Sequence, residues 1–483
     1  MTNKYDVIIV GGGPAGLYTA YGLTCLNHNK KDKPSVLVIE KGKTLDKRTC
    51  PAIKQKTNCL KCKNCAIMTG VGGCGSYSDC KFPITNDFGG NLWELVGKKE
   101  SLELQKRVDS INQTLYKNKT DDKYPKIFSS KDSVYKKVCT QHNLHLLDAD
   151  IRHLGTDKGQ IIYGELYNEL VKKGVEFRTE TEVTSIFTNP DLDLPDYKYY
   201  LSIKSNTNFE KREGFYAKNV VIATGRSGSE WLSKVCKDLK IPTKSNKVDI
   251  GIRFECPDEI WNHITKELYE SKIVYKTKTY EDEVRTFCMN PSGEVVTENT
   301  DGLITVNGHA FEAKDKKTNN TNFALLVSQT FTEPFDNSNE YGNAIVGISN
   351  MLGGGVIVQR YGDLIRGKRS TKEHILHNTV VPTLNAEPGD LSLVLPKRIL
   401  DDIIEMIQKL DYLVPGMTND DNLLYGVEVK RYNNCIQLTN TFETTRHENL
   451  FFTGDGCGIT HSLSQASAMG LAVSEVIKSR FSR

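Results

Sequence analysis

Residues 5 to 42 constrain this chain more than any other stretch, because they read strand, glycine turn, helix, strand, acid. Asp6-Val7-Ile8-Ile9-Val10 is a short apolar run that leads into Gly11-Gly12-Gly13-Pro14-Ala15-Gly16, a G-x-G-x-x-G. Leu17, Ala20, Tyr21 and Leu23 then recur at helical spacing, and Val36-Leu37-Val38-Ile39 is a second apolar run ending on Glu40. A glycine pattern alone is weak, but here both flanks carry the required context, which makes it a dinucleotide fingerprint. Gly11 permits the tight turn, Gly13 lets backbone approach a pyrophosphate, and Gly16 lets helix pack close to strand. The helix that starts at Pro14 offers a partial positive charge and, from Ala15 on, N–H groups to phosphates. Glu40, followed by Lys41, stands where an acid accepts ribose hydroxyls. The alternative, a tight turn with no ligand, does not account for the acid at the end of the second strand.

The 483 residues allow two to three domains and a full core. Lysine plus arginine is 63 and aspartate plus glutamate 60, for a net charge of +3. That balance argues against a nucleic-acid or membrane surface as partner. No run approaches the roughly 18 apolar residues of a membrane span. The first apolar run belongs to the fingerprint and does not read as a secretion signal. The 13 cysteines are an odd number. Without a secretion signal they imply reduced thiols, a cytoplasmic setting, and ligand or redox roles rather than disulfides. A second fingerprint is missing: Gly353-Gly354-Gly355 lacks the helix start and the acid-ended strand.

Asn219-Val220-Val221-Ile222-Ala223-Thr224-Gly225 reads as a buried strand ending in Ala-Thr-Gly, and Leu450-Phe451-Phe452-Thr453-Gly454-Asp455 as another, ending in Gly-Asp before a helix. On that helix Ala466, Gly470 and Ser474 recur every four residues, which lets it lie close to a sheet or cofactor. With the fingerprint, in this order, these segments resemble the glutathione-reductase-type FAD fold. The resemblance implies FAD rather than NAD, with Ala223, Thr224 and Gly225 near the nucleotide and Asp455, after Gly454, holding the ribityl chain. It also implies a discontinuous FAD domain completed by the C-terminal segment, with Gly458 and Ile459 by the flavin ring. Residues 174–177 and 183–186 look like a strand pair, with the backbone at Val183 against the adenine.

Four further segments resemble a family of uncharacterised FAD-dependent dehydrogenases with a cysteine-rich insert: Gly70 to Asp79, Arg152 to Asp157, Arg285 to Pro291 and Leu424 to Glu428. Cys74, Cys80 and Cys457 stand where that family's pattern has small residues, so they either act as thiols or fill space.

Cys50, Cys59, Cys62 and Cys65 form C-x8-C-x2-C-x2-C. Four thiolates suit tetrahedral zinc or a [4Fe–4S] cluster, while a dithiol redox site and idle thiols are the alternatives. An iron–sulfur centre would give electrons a route to the flavin in a chain with one fingerprint. The loop that follows, with Gly72, Gly73, Gly75 and Ser76, is expected beside the pyrophosphate and the flavin edge. Arg152 and His153 are the catalytic candidates, an anion clamp and a group that titrates near neutrality. A salt bridge and a satisfied core histidine explain them equally. Asp79, Lys81, His309 and His461 are weaker candidates.

The reading is an α/β chain with a discontinuous Rossmann-like FAD-binding domain and an inserted mixed-sheet substrate domain. FAD segments cover 1–95, 146–235 and 426–483, a helical or irregular insertion 96–145, and the substrate or cap domain 236–425. The expected activity is two-electron transfer between flavin and a small organic substrate, with an electron-donor protein as a further partner. The alternatives are a flavin-dependent tRNA- or nucleic-acid-modifying enzyme and a non-catalytic flavin and thiol redox sensor.

Overall fold

The computed structural model describes residues 3–481 apart from 27–32, 56, 58, 59, 61, 63, 190, 192, 206–211, 301, 312 and 313. The chain divides into two compact units. One comprises Met1–Lys126, His153–Lys244 and Tyr432–Arg483, the other Ile127–Arg152 and Ser245–Arg431. Among the described residues no helix is long and apolar enough to cross a membrane.

In the first unit Lys4–Val10 pairs in parallel with Val36–Ile39 on one side and with Arg212–Ile222 on the other. Leu450–Phe452 joins Arg212–Ile222 in parallel, and Glu176–Arg178 joins Val36–Ile39. These strands are continuous apolar runs because both faces are covered: Val7, Ile8 and Ile9 are fully buried. Tyr199–Ser205 and Thr181–Thr188 extend the sheet antiparallel. Glu176–Arg178 and Thr181–Thr188 thus belong to one sheet without pairing with each other, unlike the expected strand pair. The backbone between them is held by Glu40, whose N–H donates to the Arg178 carbonyl and whose carbonyl accepts from Thr181. The Rossmann-like, discontinuous arrangement expected from the sequence is the one observed.

The small-residue face of the last helix, Leu463–Phe481, meets the fingerprint helix Pro14–Thr24 rather than a sheet. A Cβ on Gly470 would lie 2.3 Å from the Ala15 carbonyl oxygen, and one on Gly22 1.9 Å from Ser474 Oγ. Neither position accepts a larger side chain without moving backbone or helix.

The second unit is built on a mixed sheet of eight strands. Val248–Pro257 lies between Asn320–Gln329 and Leu423–Arg431, antiparallel to both. Ile250, Ile252 and Phe254 alternate with Asp249, Gly251 and Arg253, so the two faces of this sheet differ in kind. The apolar face packs with helix Lys397–Leu410, whose Ile399, Ile403, Met406, Ile407 and Leu410 are buried at helical spacing. Each such side chain contributes about 1.5–3 kcal/mol.

Candidate functional site

In the first unit, the turns that follow four adjacent parallel strands collect at the carboxyl-terminal edge of the sheet, where ligands of open α/β sheets bind. Gly11 has φ +111°, a conformation that favours glycine, and a Cβ there would lie 2.4 Å from the Ala223 oxygen. A Cβ on Gly16 would lie 2.0 Å from the Gly11 oxygen. Gly13 differs: the nearest described atom to a Cβ there would be Gly73 Cα, 3.9 Å away, so the turn is open above Gly13. Helix Pro14–Thr24 starts on Gly13 with Pro14 in its first turn, no acid there and no capping side chain among the described residues. Its first N–H groups are therefore unspent, the arrangement that receives a pyrophosphate.

Glu40 is buried, and its carboxylate accepts hydrogen bonds from the Gly12 and Gly42 N–H groups, both at 2.8 Å. Each oxygen keeps a further lone pair for a hydroxyl donor. Lys41 turns its ammonium to the Ser227 carbonyl at 3.3 Å. The loop from Gly70 to Ser76 returns to the turn: the Gly72 N–H donates to the Gly12 carbonyl at 2.8 Å. Ser76 is fully buried, donating to the Gly73 carbonyl and accepting from Arg48. A Cβ on Gly75 would meet Leu463, Pro14 and the Tyr163 hydroxyl within 3.1 Å.

Sequence reasoning missed Arg48, the residue that organises this loop. Its guanidinium donates to the carbonyls of Ala66, Ile67 and Val71 and to Ser76 Oγ, and lies over the Tyr77 ring. Nothing in the local pattern distinguishes Arg48 from the basic residues around it.

Ala223 continues the sheet by donating to the Val10 carbonyl. Thr224 Oγ1 is buried with no partner among the described residues. Gly225 has φ +61°, with no described atom within 4 Å of a Cβ built on it. Asn433, also missed, ties this segment to the C-terminal one by donating to the carbonyls of Gly225 and Gly456, both at 3.2 Å. Gly454 packs on Ala15, and Gly458 lies against the Asn433 carbonyl. The Ile459 carbonyl accepts from the Asn91 N–H. Burial pushes the Asp455 carboxyl up to about 6, against the opposing pull of Arg226 and a hydrogen bond from Thr460. An orphaned threonine hydroxyl, open glycines and a desolvated acid around one sheet edge fit a dinucleotide with a polyhydroxyl chain. Val183 is buried in Thr181–Thr188, where the pairing with Tyr199–Ser205 shifts register.

The remaining candidates scatter. Arg152 belongs to the second unit and His153, nearly fully buried, to the first. Asp79 and Lys81 pair at 3.3 Å. His461 packs on the Tyr432 ring and His309 on that of Phe311. Cys50 and Cys65 are half-buried and Cys62 is exposed, while Cys59 lies outside the described residues. Among the described residues no group of three or more metal-ligating side chains converges. Burial pushes the Cys80 and Cys457 thiols up to about 12, so both are neutral and fill space; a Cβ on Gly159 would lie 2.0 Å from Cys80 Sγ.

The fold and this sheet edge define an α/β protein of the dinucleotide-binding kind. More particularly, residues 248–431 match a family described as FAD-dependent protein, C-terminal domain-like. No curated protein matches the chain in sequence. Among solved structures, glycine oxidase from Geobacillus kaustophilus is 13% identical at a TM-score of 0.41, over 99% of this chain and 95% of that one. Aklavinone-11 hydroxylase, in a ternary complex with FAD and aklavinone, is 14% identical at 0.41, over 98% and 61%. A flavoprotein/dehydrogenase from Cytophaga hutchinsonii is 9% identical at 0.38, over 99% and 79%.

Proposed function

We propose that the chain is an FAD-dependent oxidoreductase that moves two electrons between the flavin and a small organic substrate. The observation that carries this reading is the gathering of the Gly11–Gly16 turn, Glu40, Ala223–Gly225 and Gly454–Asp455 at one edge of the parallel sheet. The family matched by residues 248–431 supports FAD over other dinucleotides. The N–H groups of Ala15 and Gly16 would hold the pyrophosphate, Glu40 a ribose, and Asp455 the ribityl hydroxyls. Bound there, FAD supplies the two-electron chemistry, and the protein supplies position and electrostatics.

Asp455 has two tasks. Its pKa near 6 leaves it ionised at neutral pH, when it accepts hydrogen bonds from hydroxyl donors. Its negative charge then opposes build-up of further negative charge beside it, unless Arg226 offsets it. Arg48 anchors the Gly70–Ser76 loop beside the glycine turn, where the loop would shield bound phosphates from water.

With one fingerprint in the sequence, reduction is expected from an organic substrate or a donor protein rather than from a nicotinamide bound on a second such domain. Anaerobic screening of reductants by flavin bleaching tests this. Slow or absent bleaching by NADH and NADPH is expected, and rapid bleaching by either refutes that part of the reading.

A further inference from the structure

Two of the strands beneath the glycine-turn site pair only part of the way. Arg212–Ile222 and Leu450–Phe452 run parallel as far as Ile222 and Phe452. The Thr453 N–H, donating to the Ile222 carbonyl at 3.0 Å, closes that ladder. Beyond it the two chains run into separate turns, Thr224–Gly225 and Gly454–Gly458. The side chain of Asn433 spans them. Its Nδ2 lies 3.2 Å from the Gly225 carbonyl oxygen and 3.2 Å from that of Gly456. Both oxygens can only accept, so the bridging atom is the amide nitrogen, and each of its two protons serves one turn.

The bridge is set in place from its own side. Asn433 is buried, at 4% exposure. Its backbone carbonyl packs on Gly458, where a Cβ would lie 2.5 Å from that oxygen. The preceding residue, Tyr432, packs its ring on His461, with centroids 4.4 Å apart. Residues 432 and 433 thus brace the turn from Gly456 to His461, and one side chain reaches across to Gly225. The gap it spans is narrow. A Cβ on Gly456 would lie 3.2 Å from the Gly225 nitrogen and 3.4 Å from Thr224 Oγ1. Asp455 lies between Gly454 and Gly456, so its carboxylate, which accepts from Thr460 at 3.1 Å, moves with the turn that Asn433 fixes.

We propose that Asn433 is a positioning residue for the flavin half of the bound dinucleotide, holding the Thr224–Gly225 and Gly454–Gly456 turns at the spacing that aims Asp455 at the ribityl chain. This rests on the FAD reading above and adds a division of labour to it. The adenosine half is held by the Gly11–Gly16 turn and Glu40, whose carboxylate is fixed by the Gly12 and Gly42 N–H groups and not by Asn433. The flavin half needs two turns kept in register, and their tie is a side chain supplied from elsewhere in the chain.

Calorimetric titration of ADP and of FAD into the parent, Asn433→Asp and Asn433→Ser tests it. Aspartate keeps the shape but offers no N–H, so it sets carboxylate oxygens against two carbonyl oxygens. Serine is neutral and has one proton, and it carries the test should Asn433→Asp fail to fold. With two hydrogen bonds lost, FAD is expected to weaken about thirtyfold in either variant, while ADP stays within about twofold of the parent. FAD still bound to the variants is expected to show the smooth visible band of flavin in water, because its adenosine half is held and its ring is not. Equal FAD affinity and an unaltered flavin spectrum in both variants overturns the proposal, as does weakening of ADP and FAD in step. Either result leaves the FAD reading standing. A parent that binds ADP but no FAD defeats that reading and this proposal together.

Discussion

The edge of the parallel sheet in the first unit and the polar face of the mixed sheet in the second are built on opposite principles. The first is made of backbone. Gly11, Gly16 and Gly225 shape it by lacking side chains, and helix Pro14–Thr24 contributes N–H groups rather than charges. The second is made of side chains: Arg253, Glu428, Asp249 and Arg285 meet across strands far apart in sequence, the first two separated by 175 residues. A region of the first kind fails when an atom is added. A region of the second kind fails when a partner is removed.

The comparison breaks most visibly at the buried pair. Glu428→Gln leaves Arg253 enclosed without its counter-charge and is expected to cost about 3–5 kcal/mol, read from denaturant midpoints. A variant as stable as the parent would mean that the second region is not held together by charge. Gly11→Ala tests the other side. Added to a backbone at φ +111° with an oxygen 2.4 Å away, the methyl group is expected to cost about 3 kcal/mol of FAD affinity, or at least about a hundredfold in Kd by flavin fluorescence quenching.

Glu40→Gln sits between the two kinds, being a side chain that holds backbone. The amide replaces one of two charged acceptors with a donor facing a donor, for an expected loss of about 2 kcal/mol in FAD binding. Asp455→Asn is expected to act through pH. The folded carboxyl near 6 lies above its unfolded value, so the folded state holds the proton more tightly. Stability of the flavin-free parent should then fall as pH rises from about 4 to about 6 and level off above. A rise from 3.8 to about 6 corresponds to at most about 3 kcal/mol, and Asn should remove the slope; parallel urea curves at each pH check it. Smallest is Cys62→Ser. With its side chain exposed, it should change stability by under about 0.5 kcal/mol. A larger loss, accompanied by release of zinc or iron, would point to the cysteine segment as a metal centre.

The same contrast explains what was legible in the sequence. The glycine turn, Glu40, Ala223–Gly225 and Gly454–Asp455 announce themselves because each depends on local backbone and neighbours a few residues away. The parallel strands were legible for a similar reason, as unbroken apolar runs such as Val7–Val10 follow from burial on both faces. Residues 174–177 and 183–186 do not pair as their sequence suggests, because strand order is set by distant partners: Glu176–Arg178 goes to Val36–Ile39 instead. Arg48 was missed, since its worth lies in four acceptors supplied by a later loop. The charged sheet face was invisible for the strongest version of that reason. Phe287 and Arg285 stand out in the sequence only within a resembling segment, and nothing local ties them to Lys430 or Asp249.

The central claim is that the Gly11–Gly16 edge holds one FAD. Incubating the purified protein with FAD, desalting it, and identifying the nucleotide released on denaturation tests it most directly. The account predicts one FAD per chain in the parent and almost none in Gly11→Ala. Protein that retains no flavin, or retains it equally well in Gly11→Ala, would contradict it.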